Sequence, residues 1–281
     1  MKILVIGDLH GRKPKISKKL YFDTIVSVGD VCSDKEIGPW YKFYFKELKK
    51  NPDLPDMDSY LIEKFGKRKF RNMEKRSLKE GRKILEHLNG FGKPVFMVAG
   101  NWDYSYGKTR IKDVNKNTYN YLKYFYDSWI GDKINPKLTK GLKNIHNCMF
   151  HVHNFNELNF VGYGLSSGPE KIVTYKRLKK VKGKQIKILK RCYQKIVNKL
   201  FNIYKRRKNK NLLTIFITHN IPYKTKLDVI KNKHNYAHGK HLGSNVAREF
   251  CLKFKPLLCI GGHIHDHKGK DKIKKTIVIN P

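Results

Sequence analysis

An α/β fold is predicted for this 281-residue chain by three observations. Short apolar runs recur along it, each ends at a glycine or a polar turn, and a histidine, aspartate or asparagine follows each turn. Between the runs lie longer stretches whose apolar residues repeat at helical spacing. In open α/β sheets functional groups gather just beyond the carboxyl ends of the strands, so this regularity pools polar residues at one edge.

Residues 2–6 read as a buried strand that stops at Gly7-Asp8. A second runs from Asp23 to Val28, before Gly29-Asp30, and a third from Lys93 to Val98, before Ala99-Gly100-Asn101. The fourth, Leu212 to Thr218, ends at His219, and the fifth, Leu257 to Ile260, leads into Gly261-Gly262-His263. Ile37 to Lys50 is aromatic-rich and helical in character. Phe70, Met73, Ser77, Ile84, Leu85 and Leu88 form a helical stripe. A clearer stripe of Leu189, Tyr193, Ile196, Val197, Leu200 and Tyr204 predicts a helix over 184–208. Ser244 is placed to cap a helix through Phe254, closed by Pro256. Phe150 to Phe155, Asn159 to Tyr163 and Thr276 to Ile279 read as strands of a second sheet. The expectation is one domain over residues 1–281, with helical insertions at about 35–70 and 168–210.

Composition narrows the classes. No apolar run approaches the roughly 18–20 residues that span a bilayer, and the first residues lack a signal peptide's pattern, so a cytoplasmic protein is expected. Five scattered cysteines (32, 148, 192, 251 and 259) form neither a disulfide framework nor a zinc knuckle. Sixty-one Lys plus Arg against 23 Asp plus Glu leave a net charge of +38. A field of that sign attracts polyanions, nucleic acid included, although a general lysine bias produces the same count.

The residues after the strands define a chemistry. Asp8, His10, Asp30, Asn101, His219, His263 and His265 offer imidazole and oxygen donors suited to divalent transition metals. Seven donors exceed one tetrahedral site, so two ions are expected, with Asp30 as the shared carboxylate. Two ions about 3.5–4 Å apart clamp the attacking and leaving oxygens of an in-line displacement at phosphorus and lower the pKa of a held water toward about 7. Each fragment alone is weak; their order, each at a strand end, is what carries the signal.

That ordered set, "GDLH" at 7–10, "GD" at 29–30, "GNWD" at 100–103, the lone His219 and "GHIH" at 262–265, resembles the calcineurin-like metallophosphoesterases over nearly the whole chain. "NYAHGKHLGSNVAREF" and the stretch through "VINP" are most similar to small archaeal or bacterial members. The resemblance implies a four-layer α/β/β/α sandwich: two stacked mixed sheets flanked by helices, with metals at one end. One metal would take Asp8, His10, Asp30 and His265, and the other Asp30, Asn101, His219 and His263. It implies a phosphodiesterase that uses a metal-bridging hydroxide. Its cofactors would be two divalent ions, manganese first, with iron, zinc, nickel, cobalt or magnesium as alternatives.

One departure stands out. Many members carry histidine where this chain has Trp102, whose indole N–H is not usefully acidic; Asp103, the acid that steadies that histidine, is kept. Either the substrate has a good leaving group or another acid substitutes. His241, in "AHGKHLGS", is the first candidate, with His238 behind it. Asp103 and His241 are therefore the expected catalytic pair. His151 and His153 share a strand face and are better read as structural. Cys32 is read as a packed thiol at least as readily as a neighbour of the metals, and Trp102 either packs beside the site or stacks on a base. The lysines of 170–210 are first a solvated helix face and second a polyanion-binding one. The expected partner is a phosphoester substrate, with nucleotide or nucleic acid favoured by the charge; the oligomeric state is not readable. Two alternatives remain: a nuclease of the same superfamily, and a non-catalytic binding module on this fold.

Overall fold

The computed structural model describes residues 1–17, 19–51, 54–55, 57–104, 133–164, 170, 183–233 and 237–281. Parts of the expected insertion at 168–210, namely 168–169 and 171–182, lie outside the described residues.

Four short strands form the first sheet: β1 (Ile3–Ile6), β2 (Thr24–Ser27), β3 (Val95–Met97) and β4 (Ile145–Asn147). They pair in that order and all run parallel, so this sheet is not mixed as expected. The inner strands β2 and β3 are buried along their whole length, which is why they read as apolar runs and not as alternating ones. The second sheet is mixed. It contains β5 (Val152–Phe155), β6 (Leu158–Tyr163), β7 (Leu213–Asn220), β8 (Leu258–Gly262), β9 (Gly269–Ile273) and β10 (Thr276–Asn280), in the order β5-β6-β7-β8-β10-β9. Its central strands β6, β7, β8 and β10 are parallel, and an antiparallel strand closes each edge.

The sheets stack face to face. Phe96 of β3 lies flat on Phe160 of β6, ring centroids 4.1 Å apart and 8° from parallel. Cys148 ties the layers through its backbone, donating to Met97 O at 2.8 Å and accepting from Gly162 N at 2.9 Å. Side chains alternate across a strand. Phe216 of β7 stacks on Phe250 at 4.1 Å, so Ile215 and Ile217 face the opposite way, toward the first sheet. The register shifts between Ile217 and Asn220, and His219 is held toward the first sheet by its 2.9 Å contact with Val28 O.

Helices cover the outside. On the second sheet α5 (Gly183–Arg207) buries Tyr193, Ile196, Val197, Leu200 and Tyr204 in the main core. Beside it α6 (Asn245–Phe254) starts at Ser244, whose side chain accepts from Ala247 N as the cap. On the other side are α1 (Gly38–Lys50), α2 (Met57–Phe65) and α3 (Lys67–Asn89), with the single turn α4 (Pro136–Thr139). The C-terminal half of α3 places Ile84, Leu85 and Leu88 in the main core. Its N-terminal half adds Phe70 and Met73 to a separate small core with Ile37 and Leu61. Trp102 packs against both cores.

Several strand boundaries shift by one or two residues, and the fifth expected strand runs on through Gly261 and Gly262. The strand foreseen from Phe150 begins at Val152, because Phe150 takes a left-handed turn (φ 55°). His219 lies within β7, not after it.

Candidate metal centre

The carboxyl ends of the parallel strands of both sheets meet. From the first sheet, the turn after β1 carries Asp8 and His10, that after β2 carries Asp30, and that after β3 carries Asn101. From the second, β7 supplies His219, and the turn leaving β8 supplies His263 and His265. Main-chain bonds lock these turns together: His10 N donates to Asp30 O at 2.8 Å, and His263 N donates to Asp8 Oδ2 at 2.7 Å. His10, Asp30 and His263 have φ of 46°, 50° and 67°, the sparsely populated left-handed region for residues with a side chain. Strain of this kind is held only where the surroundings over-determine it.

The donors fall into two groups that share one atom. Asp30 Oδ2 is 3.7 Å from His10 Nε2 and 3.4 Å from His219 Nε2. On the first side, His265 Nε2 lies 3.4 Å from Asp8 Oδ2 and 3.4 Å from His10 Nε2. On the second, donor atoms of Asp30, His219 and His263 all fall within 4.8 Å of one another, and His219 Nε2 meets Asn101 Oδ1 at 2.8 Å. All seven expected ligand residues are thus brought together.

His219 shows how its donor is prepared. A carbonyl can only accept, so the 2.9 Å contact of Nδ1 with Val28 O takes that nitrogen's N–H, and Nε2 is left facing two further acceptors, Asp30 Oδ2 and Asn101 Oδ1, a meeting that a cation would reconcile. His10 has a partner that sequence reasoning missed: Asp34 Oδ2, 3.7 Å from Nδ1. Its one available signal was its place four residues after Asp30.

Electrostatics shows what the cluster lacks. Asp30 is 1% exposed, and its carboxyl is pushed well up by burial first, then by the charges of Asp103 and Asp8. Burial works to raise Asp8 too, but its bond with His265 and the charge of His219 bring it below the usual range. His10 is lowered by burial, and His265 is raised by its bond to Asp8. Among the described residues, only histidines form ion pairs with Asp8 and Asp30, in a chain with 61 lysines and arginines. Asp8 Oδ1 and His10 Nδ1 are buried without a hydrogen bond. Gathered carboxylates, lone pairs aimed inward and orphaned polar atoms fit divalent cations.

Asp103 is bound to the main chain. Its side chain is fully buried and accepts four main-chain N–H groups, from Asp30 (2.8 Å), Val31 (2.9 Å), Cys32 (3.1 Å) and Gly100 (2.8 Å). Both oxygens hold the turns after β2 and β3. Trp102 fills the expected donor's place. Its backbone N–H binds Asp30 Oδ1 at 2.8 Å, and its ring sits edge-on to His10 at 6.2 Å and 5.1 Å from Tyr41.

The other flagged residues are accounted for. His151 and His153 bond to the carbonyls of Met149 (2.7 Å) and Asn147 (2.8 Å). Cys32 is buried, its thiol raised by burial first and the Asp103 charge second. His238 is exposed, whereas His241 is half-buried and bonds to Asp228.

Two stacked sheets with carboxylates and histidines gathered at their strand ends define the class of fold. The chain belongs to the calcineurin-like phosphoesterase family, whose model matches residues 1–267. It is 34% identical over 90 residues to an uncharacterized protein of Methanocaldococcus jannaschii; that match takes in 31% of this chain and 38% of the relative. A solved crystal structure superposes over 100% of this chain and 90% of its own, with a TM-score of 0.55 at 18% identity, which speaks for the fold. Among the described residues no helix is long and apolar enough to cross a membrane.

Proposed function

We propose that this chain is a two-metal phosphodiesterase. One observation carries the reading: Asp30 Oδ2 stands between the His10 and His219 donors, the position of a carboxylate shared by two ions. Asp8, His10, Asp30 and His265 would hold one ion, and Asp30, Asn101, His219 and His263 the other, with manganese the first choice of metal. When bound, the pair supplies an activated water and charge neutralisation at phosphorus.

The protein's own groups set the rest. Asp103 and the Val28 carbonyl fix the turn and the imidazole that face the ions. Trp102 stands in place of an acidic donor, so a diester with an alcohol leaving group, nucleotide esters among them, would take its proton from another residue; the charge of +38 favours such anionic substrates. The reading treats the chain as one catalytic domain. A cytoplasmic setting is supported by five free, buried thiols.

The test is hydrolysis of bis(p-nitrophenyl) phosphate against p-nitrophenyl phosphate in Mn²⁺, with metal content measured and Asp30→Asn as control. Turnover of the diester above the monoester, two ions per chain, and loss of both in Asp30→Asn are expected. Silence on both esters with metal bound would leave a binding module instead.

A further inference from the structure

A second Asp–His pair lies outside the ligand set, in the segment that follows β7. Asp228 closes the 3₁₀ turn Lys226–Asp228 and is 0% exposed. Its carboxylate accepts main-chain N–H groups of Lys224 (3.1 Å), Thr225 (2.9 Å) and Gly243 (2.9 Å), and Oδ1 meets His241 Nδ1 at 2.7 Å. A carboxylate only accepts, so the proton sits on Nδ1 and Nε2 is the atom left to exchange protons. The His241 side chain is 39% exposed and edge-on to Tyr223 at 5.9 Å, and Lys224 Nζ lies over that tyrosine ring, also at 5.9 Å.

The segment is anchored to the end of β7, which bears His219, and to the turn after β8, which bears His263 and His265. Asn220, next to His219, donates from Nδ2 to Leu242 O at 2.8 Å. Ile264, between His263 and His265, packs in one small core with Ile230, Ala237 and Leu242. Asp266 accepts the N–H groups of Lys231 and Asn232 at 3.0 and 3.1 Å. His241 is therefore carried on a stretch tied to the two elements that bear His219, His263 and His265. Beside Asn101, meanwhile, the Trp102 indole has no proton to give at neutral pH.

We propose that Asp228 and His241 form the proton-donating pair of the reaction, with His241 the catalytic residue and Asp228 its positioning residue. The proposal rests on the hydrolase reading above. The oxygen of the attacking water forms the new P–O bond while its proton passes to solvent. The P–O bond to the leaving group breaks, its electron pair takes the Nε2 proton, and solvent returns a proton to the imidazole. One water and one diester give one monoester and one alcohol or phenol.

The experiment compares ethyl phenyl phosphate with ethyl 4-nitrophenyl phosphate in Mn²⁺, because a poor leaving group needs the proton and a good one needs it far less. His241→Gln is expected to lose about 10²-fold or more in kcat on the phenyl ester. Its loss on the nitrophenyl ester should be under about tenfold, with metal content unchanged. The alkaline limb of the kcat–pH profile on the phenyl ester disappears, and added imidazole restores part of the rate to His241→Ala. Equal losses on both esters, or an alkaline limb that stays, overturn the pair while leaving the hydrolase intact. A metal-loaded wild type inactive on both esters overturns the hydrolase reading and the pair with it.

Discussion

Asp103 Oδ2 accepts the main-chain N–H of Asp30 at 2.8 Å, so one buried carboxylate holds the backbone that presents another. Val31, Cys32 and Gly100 donate to the same side chain. A buried donor left without an acceptor costs about 1–3 kcal/mol. Asp103→Ala orphans four of them and is expected to destabilise the fold by at least about 3 kcal/mol and to lower bound metal. Denaturant unfolding and metal analysis check this; a variant as stable as wild type would return Asp103 to the list of catalytic candidates.

Gly262 tests the site without touching a ligand. A Cβ there would lie 2.6 Å from Asp8 Oδ2 and 2.7 Å from Val28 Cγ2, too close for either to stay in place. Gly262→Ala should therefore displace Asp8 and cut metal occupancy sharply with all seven donors still in the sequence. Elemental analysis of the purified variant is the measurement, and full occupancy would show that Asp8 is dispensable.

Removing the ions should cost stability. An ion that binds only the folded chain contributes about 2.7 kcal/mol at a hundredfold excess over its Kd. Asp8, Asp30 and Asp103 also repel one another in a buried space once uncompensated. Thermal unfolding with and without chelator should show a clear drop in Tm, reversed by added Mn²⁺. An unchanged Tm would mean that nothing binds at this cluster.

Alkaline pH should weaken the fold. Burial raises the thiols of Cys148 and Cys259 and the phenols of Tyr104 and Tyr193, the last aided by its bond to Glu249. A group with a raised folded pKa holds its proton more tightly when native. Its contribution is full below the unfolded pKa, about 8.5 for Cys and about 10 for Tyr, and is lost as pH rises toward the folded value. Tm should be flat from pH 7 to 8.5 on these grounds and fall progressively above about pH 9. A level profile to pH 11 contradicts the burial of these groups.

Much of the architecture was legible because it is local. The stripe ending at Tyr204 predicted a helix over 184–208, and α5 runs Gly183–Arg207. Ser244 was readable as a cap because the Ala247 N–H it accepts lies three residues away. Apolar runs followed by glycine marked the ends of β1, β2 and β3, where side-chain period and turn chemistry act over a few residues. The donor set was equally plain, since it consists of residue types at strand ends.

The pairing of those ends was not. His219 and Asn101 lie 118 positions apart, and only the stacking of two sheets brings them to 2.8 Å. Asp103 and Asp30 are alike as letters, yet one gathers main-chain donors and the other faces His10 and His219. By itself the sequence determined which groups are present and the local period that carries each to a strand end or a helix face. The tertiary structure alone decided which carboxylate faces histidines, which faces N–H groups, and that Asp228 rather than Asp103 stands behind a histidine. The reason is physical: a side chain's role depends on the neighbours and burial that long-range packing supplies, and chain order does not encode them locally.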